Sequence, residues 1–153
     1  MKAVVQRVRD ATVTVDGAVV GAVERGLLVY LGVGKDDDEG DAAWLAEKIV
    51  GLRIFEDAEG KMNLSVNDLS GGVMTISQFT LLADARKGRR PSYGDAAPLA
   101  EAERLYEHFK GLVGGLVTVS ASGVFGAHMD VRYTNDGPVT ILLDTKELKA
   151  GKA

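Results

Sequence analysis

Asp16-Gly17 separates two short runs of β character, ATVTV at 11–15 and AVVGAV at 18–23. Asp-Gly between such runs is a strong hairpin signal, because glycine takes the positive φ that a tight turn demands. The start of the chain is therefore committed to an antiparallel pair. Residues 2–8 (KAVVQRV) form a further β-rich run ahead of it. Residues 27–33 (LLVYLGV) are continuously apolar, which suits a strand buried on both faces.

Helical spacing begins after the acidic run 36–39. Ala42, Leu45, Ala46, Ile49 and Leu52 repeat at the interval of one helix face, and the acidic residues can cap its positive end. A helix is expected over 38–50. A second, over 96–113, carries Ala102, Leu105, Tyr106, Phe109, Leu112 and Val113 on one stripe, with Pro98 in its first turn. Strands are expected at 52–55 (turning at 57–60), 72–79, 116–121, 128–134 and 139–144. Asn135-Asp136-Gly137-Pro138 separates the last two. Residues 83–95 read as a polar loop. The fold class is α/β: mixed sheets in layers, with two main helices on one sheet face. Residues 1–145 form a single domain, and 146–153 a polar, frayed tail.

A chain of 153 residues fits one core, and 46% apolar with 26% charged residues is near the globular average. No cysteine is present, which excludes disulfides, thiolate metal sites and cysteine nucleophiles. No stretch reaches the roughly 20 apolar residues of a membrane span, and the charged N-terminus does not read as a signal peptide. A soluble cytoplasmic protein without membrane partners is expected. The net charge of −4 implies no bulk grip on nucleic acid, so any RNA contact must come from a local patch.

The usual catalytic patterns are missing. Neither His108 nor His128 has a second histidine at ligand spacing, and HExxH is absent. Residues 36–41 lack the alternating oxygen ligands of a calcium loop and read as a solvated helix cap. After Gly32 and Gly34 the third glycine of a dinucleotide fingerprint would fall at Asp37, and no P-loop occurs. No metal or cofactor is expected. G-x-S-x-G is also absent, and no Ser–His pair stands out. His108 lies opposite the apolar stripe of its helix and reads as a surface residue; His128 opens a strand, buried or exposed.

Three features remain. Arg86, Lys87, Arg89 and Arg90 place four cations within five residues, either as a solvated loop or as a phosphate contact. Ser77-Gln78-Phe79-Thr80 ends a buried strand, either as an ordinary strand end or as a pocket wall. Gly137-Pro138 sits between strands, as a simple turn or as something more specific.

Together these strings resemble the D-aminoacyl-tRNA deacylase family. The core matches are Ser77-Gln78-Phe79-Thr80-Leu81 and Asn135-Asp136-Gly137-Pro138-Val139-Thr140, about sixty residues apart. Gln6-Arg7-Val8, Arg53-Ile54-Phe55, Gly60-Lys61-Met62-Asn63-Leu64 and Arg89-Arg90-Pro91-Ser92 match in order. The likeness spans about residues 1–144. It implies a homodimer that hydrolyses the ester of D-aminoacyl-tRNA, and of mischarged glycyl-tRNA, at the 3′-terminal adenosine. It implies a cis Gly137-Pro138 bond that projects into the partner subunit's site and selects chirality there. It implies that Ser77, Gln78, Phe79 and Thr80 line the receiving pocket, mainly through backbone and positioning. Phe125 and Met129 are implied at the adenosine, Arg7 as a brace of the Gly-Pro loop, and Arg86, Lys87, Arg89 and Arg90 at tRNA phosphates.

The missing triad is compatible with that chemistry. An aminoacyl ester beside a vicinal hydroxyl is already activated, and well-oriented reactions gain about 7–11 kcal/mol from orientation. Backbone N–H groups can stabilise the oxyanion, with the RNA's 2′-hydroxyl assisting. Thr80 as a nucleophile is the alternative within this reading. Two alternatives lie outside it: a non-catalytic RNA-binding module using the 86–90 loop, and a small-molecule-binding oligomer.

Overall fold

The computed structural model describes residues 1–151. The hairpin forms where Asp16-Gly17 predicts it, with φ of +50° and +81° at the two turn residues. Its arms are longer than the separate runs suggest: β1 is continuous over Lys2–Val15 and β2 over Ala18–Gly32. Asp10, at φ +51°, bends β1 where its pairing with β7 (Asp130–Asp144) shifts register between Arg9 and Thr12. One bent strand thus serves two parts of the sheet.

β5 (Gly72–Ser77) and β6 (Val119–Ser122) complete a five-stranded mixed sheet in the order β6-β5-β2-β1-β7. β1 runs antiparallel to both neighbours, whereas β2/β5 and β5/β6 are parallel. Parallel strands need crossovers, and α1 (Glu39–Val50) and α2 (Leu99–Leu116) lie within them. Both helices pack on one sheet face. Leu45, Ile49, Leu105, Tyr106 and Phe109 meet Val5, Leu27, Val29, Leu31 and Val73 there. The opposite face holds a smaller core of Val8, Val13, Val23, Leu28, Met74 and Ile76, edged by Tyr30, Met129 and Tyr133.

The acidic run does cap α1. Asp38 Oδ1 accepts from Asp41 N at 2.9 Å, and Asp41 Oδ2 accepts from Asp38 N at 3.0 Å. Asp37 instead turns inward, where its carboxylate meets the Met1 ammonium at 2.5 Å.

Several expected boundaries shift. The strand at 52–55 shrinks to β3 (Phe55–Glu56), paired with β4 (Met62–Leu64). α2 begins later and ends later than 96–113, with Pro98 as its N-cap, so β6 starts only at Val119. The strand at 72–79 stops at Ser77, and Phe79–Leu82 form a 3-10 turn.

Residues 145–150 are not frayed. Thr145–Ala150 form α3, capped by Asp144, which accepts from Lys146 N at 2.9 Å. Thr145 is buried, and its hydroxyl and amide meet the ammonium and carbonyl of Met1. Polar residues alone suggest a loose end, but their partners come from the other terminus, 144 positions away. Of the expected tail, residues 152–153 lie outside the described residues. No helix among the described residues is long and apolar enough to cross a membrane.

Gly26 opens the parallel pairing of β2 with β5, opposite Gly72. A Cβ at Gly26 would run into the Gly72 carbonyl oxygen. Only glycine permits this approach of two backbones. From there the ladder runs in register to Leu31 opposite Ser77, and Gln78 N donates to Leu31 O at 2.8 Å.

Candidate active site

A pocket of about 590 Å³ opens where β2 and β5 end. Ser77, Gln78 and Phe79 form one wall, Ala97, Leu99 and Ala102 a second, and Phe125 to Met129 a third. The lining is mostly apolar with a few polar groups, as small-ligand sites are. The third wall is supported from behind: the Phe125 ring lies 5.6 Å from the fully buried Tyr106 ring, whose hydroxyl donates to Thr75 O at 3.0 Å. Burial holds the Tyr106 phenol strongly upward in pKa, so it stays protonated.

The strand-end motif is fixed by its own polar groups. Gln78 Nε2 donates to Thr80 Oγ1 at 2.5 Å. Thr80 is exposed and is not among the residues lining the pocket. The first amides of the 3-10 turn, Phe79 and Thr80, have no acceptor within it, as at any helical start. The Phe79 ring stays 55% exposed and meets the Tyr93 ring edge-on, centroids 5.0 Å apart.

Tyr93 ties the pocket to the basic loop. Asp84 and Ser92 exchange two backbone hydrogen bonds of 2.8 and 2.9 Å and close the loop just before Tyr93. Arg86, Lys87, Arg89 and Arg90 are all exposed beyond that closure. Arg86 pairs with Asp84 at 2.6 Å, and that hydrogen bond holds the Asp84 carboxyl at about 2. Lys87, Arg89 and Arg90 make no ion pair among the described residues.

The structure brings Ser77, Gln78, Phe79, Phe125 and Met129 together; it does not bring Gly137-Pro138 to them. That pair lies exposed in a bulge of β7 rather than between two separate strands. Gln6 pairs with Thr140 and Val8 with Asn135, so Arg7 alone faces residues 136–139. Arg7 is buried, and its guanidinium donates from Nε to Asp136 O and from Nη1 to Ile54 O, each at 2.9 Å. Asn135 Oδ1 accepts from Val139 N at 2.9 Å and closes the bulge. The Gly137-Pro138 bond is cis, as the resemblance implies.

Tyr30 and Leu99 are among the lining residues that the sequence does not single out. Tyr30 lines the pocket from within the apolar run 27–33, where a hydroxyl-bearing ring was its only signal. Leu99 continues the apolar stripe of α2, three positions before Ala102 and seven before Tyr106, yet stays exposed at the pocket mouth. His128 borders the pocket, but its side chain is 95% exposed. No hydrogen bond ties it to Ser77 or Thr80.

A crevice at strand ends, mostly apolar with a few polar groups, has the form of a small-ligand site. Comparisons with known proteins specify which. The family model described as D-Tyr-tRNA(Tyr) deacylase matches residues 4–144. The D-aminoacyl-tRNA deacylase of Geobacter metallireducens is 56% identical over 151 residues, 99% of this chain and 100% of that protein. That of Thermotoga petrophila is 56% identical over 148 residues, covering 97% and 99%. A solved structure described as c-Myc DNA Unwinding Element Binding Protein superposes with a TM-score of 0.89 at 41% identity, covering 94% of this chain and 98% of that one. The chain belongs to the D-aminoacyl-tRNA deacylase family. It is a hydrolase of the ester bond in D-aminoacyl-tRNA. That activity sets aside the non-catalytic alternatives.

Proposed function

We propose that the chain works as a homodimer in which the Gly137-Pro138 bulge of each subunit enters the partner's Ser77–Phe79 pocket and selects the D configuration. The observation that carries this reading is a separation. Gly137 and Pro138 are not among the residues that line the pocket, and the braced bulge they form lies exposed elsewhere on the same chain. Gly and Pro offer little but shape and carbonyl direction. Their carbonyls accept from the substrate's amino group and leave no room for an L side chain, so rejection is by clash. Glycine has no side chain to reject, which extends the activity to mischarged glycyl-tRNA.

Catalysis needs only positioning. Phe125 and Met129 hold the terminal adenosine, and Ser77 and Gln78 shape the wall beside the ester. Water adds to the ester carbonyl, and the amide of Phe79 meets the developing oxyanion. The bond to the ribose oxygen then breaks. That oxygen leaves as a hydroxyl, taking the proton the water gives up, with the vicinal 2′-hydroxyl as carrier. Lys87, Arg89 and Arg90 hold acceptor-stem phosphates, one aromatic contact away from the pocket.

A mixing experiment tests the arrangement. Gly137→Ala disables the loop and Ala97→Trp fills the pocket. Each variant alone is inactive on D-tyrosyl-tRNA. Random reassociation gives half mixed dimers, each with one intact site, so about a quarter of wild-type activity returns. No recovery in dimers verified as mixed places the loop at its own subunit's site and overturns the proposal.

A further inference from the structure

A line of side-chain contacts crosses three strands from the pocket to the Gly137-Pro138 bulge of the same subunit. It starts at a fixed donor, which orients the Asn135 amide. Val139 N–H can only donate, so the Asn135 atom it meets at 2.9 Å is the carbonyl oxygen. The Asn135 amide nitrogen then donates to Thr140 Oγ1 at 3.1 Å. Gln6 Nε2, on the neighbouring strand, donates to the same Oγ1 at 3.1 Å. That leaves the Gln6 carbonyl oxygen as an acceptor, and the Tyr133 hydroxyl donates to it at 2.6 Å. Tyr133 and Tyr30, which lines the pocket, edge the same apolar cluster.

The contacts run without a break from Val139 to Tyr133. None of these groups touches the ester in the pocket described above except through Tyr30. Burial and the neighbouring Tyr133 both push the Tyr30 phenol up, so it stays neutral across the working pH range.

We propose that Tyr30, Tyr133, Gln6, Thr140 and Asn135 form one positioning unit that ties the pocket wall to the Gly137-Pro138 bulge of the same chain. This rests on the reading in which that bulge serves the partner's pocket. On that reading the unit joins the dimer's two active sites, because an adjustment at Tyr30 in one site reaches the loop that enters the other. A unit of linked bonds behaves as a whole: one break frees both ends, and a second break removes nothing further.

Steady-state deacylation of D-tyrosyl-tRNA and L-tyrosyl-tRNA by the full-length dimer tests this. Tyr133→Phe removes one hydroxyl and keeps the ring. Thr140→Val removes the shared acceptor and keeps the shape. Each variant lowers kcat on the D substrate about tenfold, the loss of roughly one hydrogen bond's worth of positioning, with KM within about twofold. The double variant is no worse than either single one, and Thr140→Ser restores wild-type turnover. Multiplying losses, or a Thr140→Ser enzyme as slow as Thr140→Val, overturns the unit. So does a fall in thermal stability with kcat unchanged. Gly137→Ala in parallel keeps the two readings apart. Full turnover by that variant sinks the loop assignment, whereas a dead Gly137→Ala beside multiplying relay variants sinks the relay alone.

Discussion

Arg7 Nε lies 2.9 Å from the carbonyl oxygen of Asp136, the residue immediately before Gly137. The same guanidinium reaches Ile54 O, so one buried side chain links the β7 bulge to the segment that follows α1. Arg7→Met leaves both carbonyls without that donor, and an unmet buried acceptor costs about 1–3 kcal/mol. We expect a clear fall in the urea midpoint and loss of D-substrate turnover. Arg7→Lys recovers only part of each, because an ammonium cannot reproduce a planar fork. An unchanged midpoint in Arg7→Met shows that the brace is dispensable.

Gly137→Ala abolishes turnover for a reason nearer home than obstruction of a pocket. At φ +143° its new Cβ would lie 2.8 Å from Val139 Cγ2, 2.9 Å from Val139 N and 3.2 Å from Arg7 Nη2. The bulge must open, and the Asn135–Val139 bond loosens with it. Circular dichroism should report an intact sheet, since the bulge is exposed, while deacylation falls at least about a hundredfold, as for catalytic groups misplaced by about 1 Å. Normal turnover counts against any role for the bulge.

Thr80→Ala and His128→Ala both retain deacylation. The Thr80 hydroxyl is occupied by Gln78, and no base adjoins it, so a nucleophile's role has no support in the geometry. Thr80→Ala loses less than about tenfold, the effect of freeing one hydrogen-bonded glutamine. A trapped acyl-enzyme on Thr80 is the outcome that reverses this view.

Arg89→Ala/Arg90→Ala weakens tRNA binding and flattens its salt dependence by roughly 0.7–0.9 in the log–log slope for each phosphate no longer neutralised. Single-turnover rates on bound substrate stay close to wild type. An unaltered slope returns these residues to the role of a solvated loop.

Acid loosens the C-terminal helix first. Burial raises the Asp41 pKa, but bonds from Lys149, Asp38 N and Thr145 outweigh it and leave the value below 3.8. A depressed carboxylate stabilises the folded state fully above its unfolded value and loses that contribution as pH falls through the folded one. Lys149 Nζ sits 2.7 Å from Asp41 Oδ1, joining α3 to α1. Hydrogen exchange at 145–150 should therefore rise below pH 3.8 before the sheet opens, and Lys149→Met should show the same exchange at neutral pH. Exchange that rises only with global unfolding removes the pair from this role.

The sheet and both large helices were legible because their signals are local. Asp16-Gly17 fixes its hairpin through backbone freedom, and the stripes of α1 and α2 repeat every turn. Features that depend on distant partners were not. Nothing in the 145–150 sequence announces that Thr145 meets Met1. Nothing near Asn135 shows that β7 passes through the Gly-Pro pair as a bulge, because the bulge exists only opposite Arg7. At the pocket, Ser77 to Phe79 are legible as a polar strand end, whereas Phe125 and Met129 follow only from the resemblance. Tyr30 was missed because it reads as one more large residue in a buried strand.

The backbone contact at Gly26 divides the first hairpin into two parts with different freedom to vary. Toward the pocket, six residue pairs run in fixed register from Gly26–Gly72 to Leu31–Ser77, and the wall at Gln78 is placed by counting along them. Away from it, the arm through Asp16-Gly17 hands no alignment to β5. Thr12 to Thr14 still pair with Arg132 to Asp130 of β7, beside the pocket residues Met129 and Val131, so only changes confined to the Asp16-Gly17 tip should be absorbed without moving the catalytic crevice. A single methyl group at position 26 should displace it from inside the sheet.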